Sequence, residues 1–232
     1  MMLDISKINL LEYLPEIPIS LPRKQGSRSK ADKRHYCQVL SSFDIETTRI
    51  PSIDNSVMYI WQWHFHNIQS LKFPESIVTV YGRTWGEYFQ ACTLIKTWLN
   101  EKDLYMVRLV HNLSYEFQFI SAFYDYKADE VFCMDKRKVA RADSFDCIED
   151  RCTFIHSNMS LSKYAETWGA EHHKLSGIEF DYNKPRYPWT PMTEQELAYC
   201  ENDVLSVCEA YINEMNHYND NLYSIPLLQR DM

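Results

Sequence analysis

Three consecutive segments near the start of the chain constrain its fold more than any other feature of the sequence. HYCQVLSSFDIE, VMYIWQWHFH and SIVTVYG are each rich in β-branched and aromatic residues, and the turn-forming residues Pro51 and Pro74 lie between them. Such segments favour strands, and their short separations favour hairpins. The sequence therefore predicts three consecutive antiparallel strands from about residue 36 onward.

Helical and strand-like segments alternate after these three strands. TWGEYFQACTLIKTWLN carries apolar residues at helical spacing, and DLYMVRLVHNL has the pattern of a buried strand. We expect a helix next, at about residues 114–124. The later expected elements are short strands in EVFCMDKRKVARADSFDCIEDRCTFIH, a helix around SLSKYAETWG, and a last helix starting at Thr193, which forms a capping-box pattern with Glu196.

The composition indicates a folded protein of a reducing cytoplasm. Hydrophobic residues make up 45% of the 232 residues, yet no apolar run reaches the roughly 20 residues that a membrane span needs. The seven cysteines show no regular spacing, and the N-terminus lacks a basic segment followed by a long apolar core. These features argue against secretion and against a membrane partner.

The charge balance excludes a passive coat for nucleic acid. With 24 basic and 32 acidic residues the net charge is -8, so phosphate is repelled on average and must be met by a local patch or by bound cations. The segment PRKQGSRSKADKRH is the most basic stretch. We interpret it as a solvated linker, with a phosphate-contacting arm as the alternative; its basic residues are Arg23, Lys24, Arg28, Lys30, Lys33 and Arg34.

Two carboxylates, Asp44 and Glu46, end the first predicted strand. Residues two apart in a strand share a face, so these like charges lie close together and repel each other. A divalent cation that prefers oxygen ligands, Mg²⁺ or Mn²⁺, would relieve this repulsion. The alternative is a solvent-facing strand end with both charges in water.

Two later segments contain further candidate site residues. In HNLSYEFQFI, Asn112 is placed to cap the following helix and Glu116 lies in its first turn, where the helix dipole favours an acid. In ELAYCENDVLSV, Tyr199 and Asp203 are four apart and share a helix face. Each pattern alone also fits a purely structural role.

Taken together, the three segments resemble a known set of motifs. Asp-x-Glu on a first strand, Asn-x-x-x-acid after a later strand and Tyr-x-x-x-Asp on a late helix resemble the exonuclease motifs of the DEDD family, in its tyrosine-bearing branch. FDIETT, HNLSYEFQFI and YCENDV are similar to the proofreading domain of protein-primed family B DNA polymerases of phages and linear plasmids, over about residues 38–215. The resemblance implies an α/β, ribonuclease H-like fold: a mixed sheet with three leading antiparallel strands, flanked by α-helices on both faces.

The resemblance also implies an activity, the 3′–5′ removal of nucleotides from single-stranded or frayed DNA with two Mg²⁺ or Mn²⁺ ions. Asp44, Glu46 and Asp203 would hold the ions, assisted by Glu116, which stands where an Asp is usual. That extra methylene is expected to affect the rate more than the function. The other implied roles are Tyr199 orienting the attacking water, Lys174 (or, as the weaker candidate, Lys163) assisting catalysis, and Thr47, His111, Asn112, Tyr115 and Ser157 gripping the 3′ end.

The same resemblance divides the chain into an N-terminal arm with the basic segment (1–35), an exonuclease domain (36–218) and a tail (219–232) where a polymerase domain would otherwise begin. Polymerase catalytic motifs do not follow in this sequence. We therefore expect an excised domain, a fragment, one half of a split polymerase or a free-standing exonuclease, acting in the cytoplasm of a host cell. The expected partners are a DNA 3′ end and a separate polymerase chain or replication protein. The alternative function is a non-catalytic DNA- or protein-binding module with the same fold.

Some residues have the spacing of zinc ligands. Cys147, Cys152 and His156 form one such set, and the further candidates are His64, His66, His172 and His173. No CxxC pair occurs, whereas tetrahedral structural zinc sites usually contain a close Cys pair. We therefore predict packing roles in the core or at the surface for these residues. The Trp and Tyr residues of YIWQWHF alternate on a strand, and for them we predict core packing and a partner surface, with a cofactor site as the alternative.

Overall fold

The computed structural model describes residues 1–22, 34–50, 52, 54–70, 72–173 and 184–218. Within these residues, eight strands form one sheet: β1 (Leu3–Asp4), β2 (Tyr36–Ile50), β3 (Asn55–Asn67), β4 (Glu75–Gly82), β5 (Tyr105–Val110), β6 (Val131–Asp135), β7 (Lys138–Ser144) and β8 (Ile148–Cys152). The α-helices of the same residues are α1 (Trp85–Asn100), α2 (Leu113–Ile120), α3 (Thr153–Ser157), α4 (Leu161–Trp168) and α5 (Glu194–His217).

The sheet is mixed and has the strand order β1-β4-β3-β2-β5-β8-β7-β6. β2, β3 and β4 pair antiparallel as hairpins, β5 and β8 run parallel to β2, and β6 and β7 return antiparallel. The predicted α/β class, a mixed sheet with three leading antiparallel strands flanked by helices, is confirmed. The arrangement is compatible with a ribonuclease H-like fold.

One face of the sheet packs against α1. Trp61, Trp63 and Phe65 of β3, with Phe43 of β2, point to this side, as strand periodicity requires. Trp61 and Trp63 are fully buried there, next to Tyr88 of α1. The packing role predicted for the tryptophans of YIWQWHF is therefore confirmed.

The opposite face is covered by α4 and α5. Leu40 of β2 and Leu109 of β5 pack against Val207 and Tyr211 of α5. Ser42 of β2 adds a buried hydrogen bond on this side. α5 begins with the predicted capping box, in which the backbone N–H of Glu196 donates to the Thr193 hydroxyl and the Thr193 N–H donates to the Glu196 carboxylate.

The first 22 residues pack on the same body. β1 pairs parallel with β4, and two 3-10 helices, Ile5–Lys7 and Leu10–Glu12, follow it. Leu10 is fully buried in the main core, so this part of the predicted arm contributes apolar burial. The domain boundaries themselves stay a prediction, because residues 23–33 and 219–232 lie outside the described residues.

Two predicted elements differ from the structure. The helix expected at about residues 114–124 ends at Ile120, after which the backbone N–H groups of Ala122 and Phe123 donate to carbonyls only three residues back, an arrangement that tightens and closes the helix. Residues 153–156, the end of a segment in which short strands were expected, belong to α3, which Asn158 closes in the left-handed conformation. None of the described helices is both long and apolar enough to cross a membrane.

An ion pair lies inside the core. The side chains of Arg108 on β5 and Asp150 on β8 are buried, with 0% and 1% of their surface exposed. The Arg108 Nε donates to Asp150 Oδ1 at 2.5 Å. Arg108 Nη2 donates to the Tyr88 hydroxyl at 2.8 Å, and the guanidinium lies 4.8 Å from the centroids of the Phe43 and Trp63 rings. Each charge therefore depends on its partner, since water cannot solvate it.

Removing one partner of this pair is expected to be strongly destabilising. Arg108→Met leaves Asp150 as a buried charge without its cation, and we expect a loss of about 3–5 kcal/mol in unfolding free energy. The double change Arg108→Met/Asp150→Leu should cost less than either single change. Urea unfolding measures all three variants. Lys96→Met breaks the exposed pair with Asp146 and serves as a control that should cost about 0–1 kcal/mol; an Arg108→Met loss no larger than this would contradict the account.

Candidate active site

Three of the predicted acids meet where α5 crosses the end of β2. The carboxylate oxygens of Asp44 and Glu46 on β2 and of Asp203 on α5 lie within 4.8 Å of one another. Strand periodicity brings Asp44 and Glu46 to the face that α5 covers. Ser42, on the same face, fixes the helix in place because its hydroxyl donates to the carbonyl of Val204 at 2.7 Å.

Glu116 joins this group from a third element. β5 runs parallel to β2, so the helix that follows β5 starts at the same edge of the sheet at which Asp44 lies. The Glu116 side chain is buried, and its Oε2 atom has no hydrogen-bond partner among the described residues. Burial and the neighbouring Asp44 charge raise the pKa of Glu116 well above its ordinary value.

The four carboxylates fit hard divalent cations. A buried carboxylate oxygen without a donor is costly, and carboxylate oxygens are the ligands that Mg²⁺ and Mn²⁺ prefer. Asp44, Glu46 and Asp203 would form the binding group, with the open oxygen of Glu116 beside it. The chemistry of this donor set thus agrees with the metals expected from the sequence.

Gln62 orients one of these acids. It lies directly opposite Asp44 on β3, and its Nε2 donates to Asp44 Oδ2 at 2.8 Å. None of the sequence motifs pointed to Gln62. The alternation of side chains along β3 could have indicated it, because this alternation places Gln62, His64 and His66 on the face opposite the aromatic core.

The acids line a cleft of about 210 Å³. Of the residues predicted to grip a 3′ end, His111 and Tyr115 also line it, and the Tyr115 hydroxyl lies 2.5 Å from Thr47 Oγ1. A β-bulge between Glu46 and Thr47 marks this end of β2. Apolar residues that no sequence motif indicated complete the lining: Phe43, Ile45, Leu161 and Val207.

His111 is connected to the predicted residue Ser157 through α3. His111 Nδ1 lies 2.9 Å from the hydroxyl of Thr153, and the Ser157 hydroxyl donates to the Thr153 carbonyl at 2.7 Å. Ser157 is buried and does not itself line the cleft among the described residues. The exposed ring of Phe154 contacts His111 edge-on with centroids 5.8 Å apart, and it is a further residue that sequence reasoning missed.

The predicted capping role of Asn112 is wrong. Asn112 occupies the N-cap position of α2 but adopts the left-handed conformation (φ 71°), and its side chain makes no capping hydrogen bond. The exposed Asn112 side chain therefore stays a candidate substrate contact.

Of the remaining catalytic candidates, Tyr199 and Lys163 are not among the described residues that line the cleft. Tyr199 is one helical turn before Asp203, as predicted, but its ring is buried against Met2, Tyr59 and Ile60, and it is not among the described residues that line the cleft. Lys163 is exposed and its Nζ lies 2.9 Å from Glu166 Oε2. Lys174 lies outside the described residues.

Solved structures of Phi29 DNA polymerase share this fold. The polymerase complexed with single-stranded DNA matches with a TM-score of 0.55 and 16% identity, over 80% of this chain and 33% of that chain. Its complex with primer-template DNA and incoming nucleotide substrates matches with a TM-score of 0.53 and 16% identity, over 80% and 32% of the two chains. This chain thus spans about a third of those polymerase chains. No protein-family model and no curated protein matches the sequence.

Glu116 is expected to make the stability of the metal-free protein depend on pH. Its pKa is raised from an ordinary 4.5, so the folded protein holds this proton more tightly than the unfolded chain does. The free energy of unfolding therefore falls as the pH rises from about 4.5 through the raised pKa, by about 1.4 kcal/mol per pH unit at most. Glu116→Gln removes this loss, so the variant should be the more stable protein at neutral pH.

Melting temperatures of wild type and Glu116→Gln, measured in chelator across this pH range, check the prediction. The difference should shrink towards zero below pH 4.5. Glu75→Gln, at an exposed position at the start of β4, is the control and should follow the wild type. A difference between wild type and Glu116→Gln that is constant with pH, or a variant that is less stable at neutral pH, would contradict the account.

Proposed function

We propose that this chain is a metal-dependent 3′–5′ exonuclease that removes nucleotides from single-stranded or frayed DNA ends, as a proofreading domain does. One observation carries the proposal: carboxylates from three separate elements, β2, α2 and α5, converge on one cleft. The likeness in fold to a DNA polymerase that has been solved with single-stranded DNA supports it. The motifs FDIETT, HNLSYEFQFI and YCENDV provide the four acids in the expected order.

Two Mg²⁺ or Mn²⁺ ions at this site would supply activation of a water molecule and stabilisation of the leaving 3′ oxygen. The chain's own contribution is to hold Asp44, Glu46 and Asp203 together and to orient Asp44 through Gln62. Glu116, at the position where the resembled motif usually has an Asp, provides the fourth carboxylate. Without bound cations an acidic cleft would repel the phosphate backbone, so substrate binding and metal binding are coupled here.

Aromatic and polar groups at the cleft suit a nucleotide end of any sequence. Tyr115 and Phe154 are 36% and 41% exposed, so both rings are accessible to bases. Stacking on such rings contributes about 1–3 kcal/mol per base without sequence preference. Thr47, His111 and Asn112 provide hydrogen-bonding groups for the sugar and phosphate of the last nucleotides.

A separate polymerase chain or replication protein remains the proposed protein partner, and a host cytoplasm the proposed location. The matched structures carry a polymerase in the same chain, of which this sequence spans about a third. A non-catalytic binding module with the same fold is the outcome that remains if the activity test fails.

The exonuclease assay is the primary test. A 5′-labelled single-stranded DNA oligonucleotide, incubated with the protein and Mg²⁺ or Mn²⁺, should give a ladder that shortens one nucleotide at a time from the 3′ end. Asp44→Ala/Glu46→Ala removes two of the metal-binding carboxylates, and we expect the rate to fall at least about 10³-fold because the metals supply several kcal/mol. Glu75→Ala, purified identically, is the control and should retain the wild-type rate.

Three outcomes would count against the proposal. They are no shortening by the wild-type chain, equal shortening by the double variant, and internal cuts in place of a ladder. Binding of the oligonucleotide without shortening would favour the non-catalytic module. A matching RNA oligonucleotide, run in parallel, distinguishes the DNA specificity proposed here from a general exonuclease.

Tyr199 has a narrower test. Its hydroxyl is proposed to orient the attacking water, yet its ring is part of a buried cluster with Tyr59 and Ile60. Tyr199→Phe keeps the ring and removes the hydroxyl, so we expect kcat to fall by about 10²-fold or more, within the range typical of a lost proton-handling group, while the melting temperature stays close to that of wild type. An unchanged kcat would restrict Tyr199 to packing.

A further inference from the structure

A second group of metal-ligating side chains lies beneath α5, separate from the four carboxylates. His64 and His66 of β3 and Cys208 of α5 each offer one ligand atom, and these atoms lie within 4.8 Å of one another. All three residues are buried, with 0%, 7% and 0% of their surface exposed. Three soft or borderline ligands have therefore been brought together from two elements that are distant in sequence.

The packing that builds the carboxylate site also builds this one. His64 and His66 are two apart on β3, so both rings lie on the face that α5 covers. Ser42 is directly opposite His64 in the sheet, and its hydrogen bond to Val204 holds α5 close to this point. Cys208 follows Val204 by one helical turn, which places its thiol over the two rings.

The hydrogen-bond partners of His64 are compatible with those of a metal-bound histidine. Its Nδ1 lies 3.0 Å from the hydroxyl of Thr79, and its Nε2 lies 3.2 Å from Nδ1 of His66. A ring that donates from Nδ1 to Thr79 has its Nε2 lone pair on the side of His66 and Cys208. Metal-ligating histidines characteristically donate their other ring N–H in this way.

The facing ring nitrogens of His64 and His66 share one proton. In the metal-free protein one ring nitrogen must donate to the other across the 3.2 Å contact. A cation would replace that shared proton and accept both lone pairs.

A cavity of about 650 Å³ adjoins the cluster. His66 and Thr79 line it, together with Glu209 and His172, whose Nδ1 lies 2.7 Å from Glu209 Oε1. The cavity offers room for a water molecule as a further ligand. Glu209 lines the same cavity as His66, and a carboxylate there also favours a cation.

The donor types select the metal. Two imidazoles and one thiolate suit Zn²⁺, whereas Mg²⁺ and Mn²⁺ prefer the oxygen ligands of Asp44, Glu46 and Asp203. Sites with three protein ligands commonly hold zinc with water in the fourth position. Cys208 would bind as a thiolate, so metal binding would release the thiol proton.

We propose that His64, His66 and Cys208 bind one Zn²⁺ ion, with water from the adjoining cavity as the fourth ligand. The ion joins β3 to α5 beside the carboxylate cleft and stabilises the packing that positions Asp203. The proposal adds a ligand role to the packing role predicted for His64 and His66 from the sequence. The other zinc-like set does not assemble among the described residues, since His156 Nε2 lies 2.9 Å from Glu214 Oε2 and Cys147 and Cys152 join no ligand group.

Cobalt titration of the purified full chain tests the proposal. After removal of metals, Co²⁺ added in the presence of excess Mg²⁺ should produce a thiolate-to-cobalt charge-transfer absorption that saturates at one equivalent and disappears on addition of Zn²⁺. Oxygen ligands give no such band, so binding at the carboxylates does not mimic it. The readout is independent of nuclease activity.

Matched variants test whether the absorption band arises from cobalt bound at His64, His66 and Cys208. Cys208→Ser should abolish it, and His66→Gln should weaken Co²⁺ binding by more than the roughly 10–100-fold that loss of an outer contact costs. Cys37→Ser, at an equally buried cysteine outside the cluster, should retain the band, with circular dichroism checking that each variant folds. Absence of the band in the wild type, or its persistence in Cys208→Ser, would overturn the proposal. If Cys208→Ser fails to fold, unchanged affinity in His66→Gln would overturn it equally.

Discussion

The packing of α5 across β2 and β3 is the contact on which the rest of the candidate chemistry depends. The hydrogen bond from Ser42 to the Val204 carbonyl lies at its centre. Asp203, just before Val204 on α5, lies beside Asp44 and Glu46. Cys208, one turn after Val204, lies beside His64 and His66. A hard oxygen cluster and a borderline nitrogen–sulfur cluster thus adjoin along one helix, and each suits a different class of metal.

The four carboxylates that are proposed to serve function lower the stability of the fold. Asp44, Glu46, Glu116 and Asp203 repel one another, and burial of Glu116 adds to the cost. The fold tolerates the cluster because large contacts elsewhere compensate, among them the aromatic core around Trp61 and Trp63 and the buried Arg108–Asp150 pair. Cations at the carboxylates would relieve the repulsion, so metal binding and folding stability should rise together.

Local sequence patterns predicted a large part of this structure, because they act over short distances. Strand periodicity placed Asp44 and Glu46 on one face, helical spacing aligned Tyr199 with Asp203, and hairpin-like separations gave the three leading strands. The features that the sequence did not predict arise from tertiary contacts. α3 forms although Thr153 and Ile155 favour a strand locally, and Asn112 turns left-handed where a cap was expected. Gln62 and Cys208 gain their significance only from residues that the fold brings beside them, which no local pattern encodes.

The central claim is that the four carboxylates form one metal-binding centre. The most direct measurement is the anomalous scattering of Mn²⁺ in crystals of the chain grown with a short single-stranded oligonucleotide. The account predicts two manganese peaks between Asp44, Glu46, Glu116 and Asp203, with the 3′ end of the oligonucleotide beside them. Absence of manganese from these carboxylates in a structure that holds the oligonucleotide elsewhere would contradict it.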